Sequence, residues 1–253
     1  MIDYKILNNI AIIQLIDKKN KNIFSYKLWR QLDESLGMAV RDQNVKLVVL
    51  TGYEKVFSLG MPLKVASNFS LQQVSKAIDL LQKVNLTIYS SRKIFLAGIN
   101  GFAMGPGFEL AIACDLILAS DKAWMSLPQA SRCMVTDAGG LSMLKLKGIN
   151  EFFINEILMT GKKYESMELK NRGIINEILE NQNFLTQTQR YAENLLSNDL
   201  RAIETYKQEQ RNPGQIQKLK KMLKIEKQNQ LRLIKNLIQK KCYVVDHALK
   251  ETF

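Results

Sequence analysis

The residues best placed to do chemistry lie in Ile99–Ser120, INGFAMGPGFELAIACDLILAS, where Gly101 and a Gly105-Pro106-Gly107 turn run into an apolar segment carrying one carboxylate, Glu109. A glycine turn feeding a helix N-terminus presents backbone N–H groups that have no partner inside the helix, and these favour an anion. Glu109 follows the last glycine by two residues and falls in the first helical turn, where the helix dipole also favours negative charge. It therefore either complements the dipole or serves the chemistry of whatever the turn binds. A second point of interest is Val56–Pro62, VFSLGMP. Pro62 keeps Met61 out of α geometry, so this loop is expected to be extended, with a free N–H at Met61.

Other chemistries find little support. The single histidine, His247, lies close to the C-terminus and offers a poor partner for a Ser–His or Cys–His pair. The three cysteines, Cys114, Cys133 and Cys242, are odd in number and fit neither a disulfide framework nor a zinc site, so they are read as reduced thiols. Hydrophobic residues make up 46% of the chain and charged residues 24%, which suits a globular protein with a sizeable core. No apolar run approaches the length of a membrane span, and the N-terminus lacks the pattern of a signal peptide, so a cytoplasmic location is expected. The net charge of +12 is concentrated in Gln215–Lys241, where Glu226 is the sole acid. No nucleic-acid motif accompanies that charge, so a solvated helix face is expected rather than nucleic-acid binding. A basic surface also suits a phosphate-bearing small molecule.

The elements that must position these residues follow in order. Residues 4–7 and 10–16 read as strands about an Asn8-Asn9 turn. Ser25 caps a helix with Leu28, Leu32, Leu36 and Val40 on one face. Residues 46–51 form a buried strand, Ser70 caps a helix from Leu71 to about Tyr89, and residues 93–99 are the strand that delivers the glycine turn. Residues 124–127 form a short strand ended by Pro128, and Asp137 is the expected N-cap of the next helix. Helices over 150–160 and 165–172 and a strand over 174–179 follow; beyond Asn183 the pattern is helical, with Ile216, Leu219, Leu223, Ile234 and Leu237 on one face of a long basic helix. Strands alternating with helices indicate an α/β fold with a helical C-terminal region.

Three blocks in order, FSLGMPL (57–63), INGFAMGPGFELAIACDLIL (99–118) and ASDKAWMSLPQASRCMVTDAGG (119–140), resemble those of the enoyl-CoA hydratase/isomerase (crotonase) family. The resemblance implies a spiral of repeated ββα units over residues 1–183 and a helical oligomerisation or lid region over 184–253, with assembly into homotrimers or hexamers. It implies an acyl thioester substrate, carried by coenzyme A or by an acyl carrier protein. It implies no tightly bound cofactor, coenzyme A arriving as part of the substrate, and no membrane partner. The shared chemistry is an enolate held by two backbone N–H groups, with acidic side chains moving protons beside the carbonyl.

Carried over residue by residue, the resemblance assigns acid/base roles to Glu109 and Asp137. It assigns substrate-binding positions to Ser58, Gly60, Met61, Gly105, Pro106, Gly107 and Gln129. The first oxyanion donor falls on the Met61 N–H. The second falls on Pro106, which has no N–H, so either Gly107 supplies the donor or the hole lacks one. The second hydratase carboxylate falls on Gln129, which can orient a water but cannot exchange a proton at neutral pH. Glu109 with Asp137 and no acid at 129 favours an isomerase, in which the base takes a C2 proton and returns it at C4. Action on carrier-bound acyl groups, or binding and scaffolding by a homologue with impaired catalysis, are the other readings.

Overall fold

The computed structural model describes residues 1–23, 25–60 and 70–240, with side chains through Leu237. Met61, Cys242 and His247 lie outside the described residues.

The chain opens with an antiparallel hairpin, β1 (Ile2–Leu7) and β2 (Ile10–Leu15). Asn8 and Asn9 both take positive φ, 49° and 64°, as a tight two-residue hairpin turn requires. Helix α1 (Tyr26–Arg41) starts at Ser25, whose hydroxyl accepts from the Leu28 N–H.

From there the chain repeats one step: a strand in the large sheet, a strand in a second sheet, then a helix. The first repeat is β3 (Leu47–Thr51), β4 (Val56–Ser58) and α2 (Leu71–Ser90). The second is β5 (Ile94–Ile99), β6 (Phe102–Met104) and α3 (Pro106–Ala113). The third is β7 (Leu116–Ser120), β8 (Trp124–Ser126) and α4 (Gly140–Leu146), followed by α5 (Glu151–Thr160), β9 (Tyr164–Glu165), α6 (Ser166–Asn171) and β10 (Glu177–Leu179). The result is a six-stranded sheet in the order β1-β2-β3-β5-β7-β10 and a four-stranded sheet in the order β4-β6-β8-β9. Asn100 pins a corner between them: its Oδ1 accepts from the Gly52 N–H at 2.9 Å and its Nδ2 donates to the Glu54 carbonyl at 2.6 Å.

Every residue of β3 is buried, because both faces of the large sheet are covered. Val48 and Leu50 face the main core with α1, α2 and α3, while Leu47 and Val49 face a second cluster that includes Ala192 of α7 (Phe184–Leu196). Helices α8 (Leu200–Gln210) and α9 (Pro213–Lys240) complete the described chain, and α9 lies against α2 and α4. No described helix is long and apolar enough to cross a membrane.

The strand expected over 174–179 is confined to 177–179. Ile174 and Ile175 instead donate to the Leu169 carbonyl and finish α6, and Asn176 joins the sheet only through Ile117.

The site helix α3 is fastened at both ends. At its start the Gly105 N–H donates to the Ser126 carbonyl at 2.9 Å. At its end Asp115 pairs with Lys207 at 2.7 Å and Arg211 at 2.8 Å, while Arg211 and Lys147 donate to the Cys114 carbonyl. Cations at a helix C-terminus match the dipole.

Candidate active site

Two backbone segments meet where the sequence placed its donors. Ser58 ends β4 fully buried; its hydroxyl donates to the Asn22 carbonyl at 2.9 Å and accepts from the Gly60 N–H at 3.0 Å. Gly60 has φ +70°, and a Cβ there would meet the Met104 carbonyl oxygen at 2.5 Å and Pro106 Cδ at 3.1 Å. Across this contact Gly105, at φ 52° and ψ −123°, turns the chain into α3 with Pro106 at its first position. Gly107 is also tightly packed: a Cβ there would stand 2.7 Å from that of Ser58. Pro106 has no N–H, so the first donor that α3 presents is that of Gly107. The other expected donor, Met61, lies outside the described residues.

Glu109 does not remain in its own helix turn. Fully buried, it reaches the start of α4: its Oε2 accepts from the N–H groups of Ala138 and Gly140, each at 2.9 Å, and its Oε1 accepts from Gln129 Nε2 at 2.9 Å. Gln129 opens a 3-10 turn over Ala130–Arg132, and its own Oε1 is buried without a hydrogen-bond partner among the described residues.

Asp137 is not the N-cap of α4. That position belongs to Gly139, at φ 110°, and the amides Asp137 was expected to cap are taken by two glutamates from other helices. Besides Glu109 on α3, Glu226 on α9 accepts from the Gly139 N–H at 2.9 Å, the Ser142 N–H at 2.9 Å and the Ser142 hydroxyl at 2.5 Å. Released from capping, Asp137 is only partly buried and lines a cleft with Leu59, Met104, Pro106, Gln129 and Arg132. Glu109 is not among the cleft-lining residues.

All three carboxylates hold protons more tightly than usual. Burial raises Glu109 well above its ordinary range; the charges of Asp137 and Glu226 add to this, and the Gly140 and Ala138 amides oppose it. Burial, then the Glu226 charge, pushes Asp137 up to about 7 against a hydrogen bond from Gln230. Burial takes Glu226 to about 7, opposed by its bonds from Ser142 and Gly139. The groups titrate as a set, so the site holds an exchangeable proton near neutral pH. Among the described residues no group of His, Cys, Asp or Glu side chains could hold a metal ion.

A sequence profile of the family described as Enoyl-CoA hydratase/isomerase matches residues 5–245. The chain belongs to the enoyl-CoA hydratase/isomerase family. Similar proteins include a mitochondrial enoyl-CoA hydratase of Pongo abelii, 29% identical over 76% of this chain and 65% of that protein. A carnitinyl-CoA dehydratase of Citrobacter koseri is 29% identical over 76% of this chain and 74% of that protein. The chain thus spans about two thirds of the length of the Pongo relative. Among solved structures, an enoyl-CoA hydratase from Bacillus halodurans superposes with a TM-score of 0.86 at 26% identity, covering 94% of this chain and 97% of that one. One from Bacillus anthracis gives 0.80 at 24% identity, covering 89% and 90%, a likeness of fold. The two-sheet ββα spiral is the fold of these neighbours.

Of the positions that the enoyl-CoA hydratase/isomerase blocks single out, the fold puts Gly105, Pro106, Gln129 and Asp137 on one cleft, with Gly60 packed beside Pro106, Gly107 packed against Ser58, and Glu109 bonded to Gln129 behind it. Glu226 and Gln230 are the residues that the sequence reading missed. A signal existed: Glu226 is the only acid of the basic stretch, and it falls between Leu223 and Ile234 on the buried stripe of α9.

Proposed function

We propose that this protein processes an enoyl-CoA-type acyl thioester by proton transfer through an enolate, as an isomerase, with Asp137 as the acid/base. The observation that carries the reading is that Asp137 lines the cleft with its pKa raised to about 7, while position 129 offers an amide in place of a second carboxylate. An acid/base of that acidity near neutral pH can both take a C2 proton and return it at C4. Glu109 holds Gln129 and the start of α4. The enolate oxygen is stabilised by the Met61 N–H that the resemblance assigns and by the Gly107 N–H, which stands in where Pro106 has none. Coenzyme A arrives as part of the substrate, and the chain needs no cofactor of its own.

A second reading is addition of water. Gln129 lines the cleft, where an amide can orient a water, and the relatives named above are a hydratase and a dehydratase.

The test is turnover of 3-enoyl-CoA and 2-enoyl-CoA by purified protein against an Asp137→Ala control. Isomerisation of the first at a greater rate than hydration of the second is the expected result. No turnover of either above the control overturns the reading, and turnover of carrier-bound thioesters alone selects the carrier-protein branch. If wild type is inactive and Pro106→Gly with Gln129→Glu gains activity, the chain is an impaired homologue.

A further inference from the structure

Helix α9 buries five positions in a row at helical spacing, and two of them are polar: Leu219, Leu223, Glu226, Gln230 and Ile234. An apolar residue at 226 would close this stripe without the cost of burying a carboxylate. The carboxylate is compensated by the turn it meets. The N–H groups at the start of α4 alternate between two acceptors: those of Ala138 and Gly140 go to Glu109, and those of Gly139 and Ser142 go to Glu226. Four residues further along α9, Gln230 accepts from the Val135 N–H at 3.0 Å through Oε1 and lines the same cleft as Asp137. Gln82 of α2 joins both sides, its Nε2 donating to the Asp137 carbonyl at 2.7 Å and the Leu223 carbonyl at 2.8 Å. The main chain on either side of Asp137 is therefore held from α9, and Gln230 of α9 shares the cleft wall with Asp137.

We propose that Glu226 and Gln230 are positioning residues for Asp137, so that α9 is a structural part of the reaction centre: it clamps the turn that carries Asp137 and lines the cleft beside it. The negative charge of Glu226 favours the protonated form of Asp137, whereas the Gln230 amide favours the ionised form. The other charged groups bordering this arrangement are Glu109 from α3, Arg132 on the cleft wall, and Lys227, which is turned to Asp79 of α2 at 2.6 Å. The proposal rests on Asp137 being the acid/base of the proposed reaction.

The experiment is a carboxyl ¹³C NMR titration of the full chain, with the Asp137 resonance assigned by its loss in Asp137→Asn. Glu226→Gln is expected to move the Asp137 midpoint down, and Gln230→Met, which keeps side-chain volume, is expected to move it up. An unmoved midpoint, or shifts in the same direction, overturns the proposal. If Glu226→Gln does not fold, Gln230→Met decides by itself: a rise supports the proposal and anything else overturns it. The titration needs no substrate, so it stands apart from thioester turnover. Opposite shifts in a protein that turns over no thioester would remove the functional reading and leave the α9 frame in place.

Discussion

Gln129 Nε2 donates to Glu109 Oε1 at 2.9 Å, so the one carboxylate of the glycine-turn helix is held by an amide at the position that the resemblance matches to a second carboxylate. The bond keeps Glu109 occupied on one oxygen while two main-chain N–H groups occupy the other. Gln129→Glu would set two buried carboxyl groups in contact, and like charges at that distance force one to remain protonated. The variant is expected to gain hydration of 2-enoyl-CoA relative to isomerisation, read from loss of enoyl-thioester absorbance. It should also lose about 1–3 kcal/mol of stability at pH 8, read from denaturant unfolding.

Asp137→Asn separates the chemical role from the structural one. Removing a positioned acid/base is expected to lower kcat for thioester isomerisation by about 10²–10⁴-fold. The same change removes a carboxylate that burial and Glu226 disfavour, so thermal stability at pH 8 should rise. A variant that loses both activity and stability would indicate that Asp137 mainly supports the fold.

Pro106→Gly would return an N–H to the start of α3. One oxyanion donor is worth on the order of 10²-fold or more in kcat, so a gain of that order is expected in steady-state assays if Pro106 limits the rate. Glycine in place of proline also loosens the unfolded chain, at a cost of about 1 kcal/mol in denaturant unfolding.

The pH dependence of stability follows from the carboxylates. Asp137 and Glu226 have folded pKa values raised to about 7, and Glu109 is raised as well, so between the ordinary carboxylate range and pH 7 the folded chain binds more protons than the unfolded one. Stability from these groups is fully present below the unfolded pKa values and is lost as pH rises through 7. Lys147 runs the other way, since burial lowers it to about 8 and favours the neutral amine above that pH. Differential scanning calorimetry should show a higher Tm at pH 6 than at pH 8, and the difference should shrink in the double variant Asp137→Asn, Glu226→Gln.

Asp115→Asn tests the fastening of α3. Lys207 and Arg211 are both buried against that carboxylate, at 2.7 and 2.8 Å. Leaving two buried cations without their partner is expected to cost about 3–5 kcal/mol, measured by urea unfolding.

What could be read from the sequence was local. Asn8-Asn9 specified its turn, and Ser70 with Gln73 specified a reciprocal cap, because the partners lie within a few residues. The glycine turns and Asp137 could be placed near one another through the family blocks. The capping role expected of Asp137 failed because its competitors lie far away in the chain: Glu109 is 29 residues from the Ala138 amide it binds, and Glu226 is 87 residues from that of Gly139. Short-range preference yields to such long-range donors and acceptors when both are buried. The same holds for residues 174–176, whose aliphatic run looks like a strand but closes a helix.

The fastening of α3 also fixes an order of assembly. Its first turn depends on Ser126, and its last depends on Lys207 and Arg211, which lie 92 and 96 positions beyond Asp115 in the chain. During synthesis from the N-terminus, the α/β repeats emerge with Asp115 already facing the interior and its counter-charges still unmade. The helix that carries the glycine turn is therefore among the early segments to be synthesised and among the late ones to be secured.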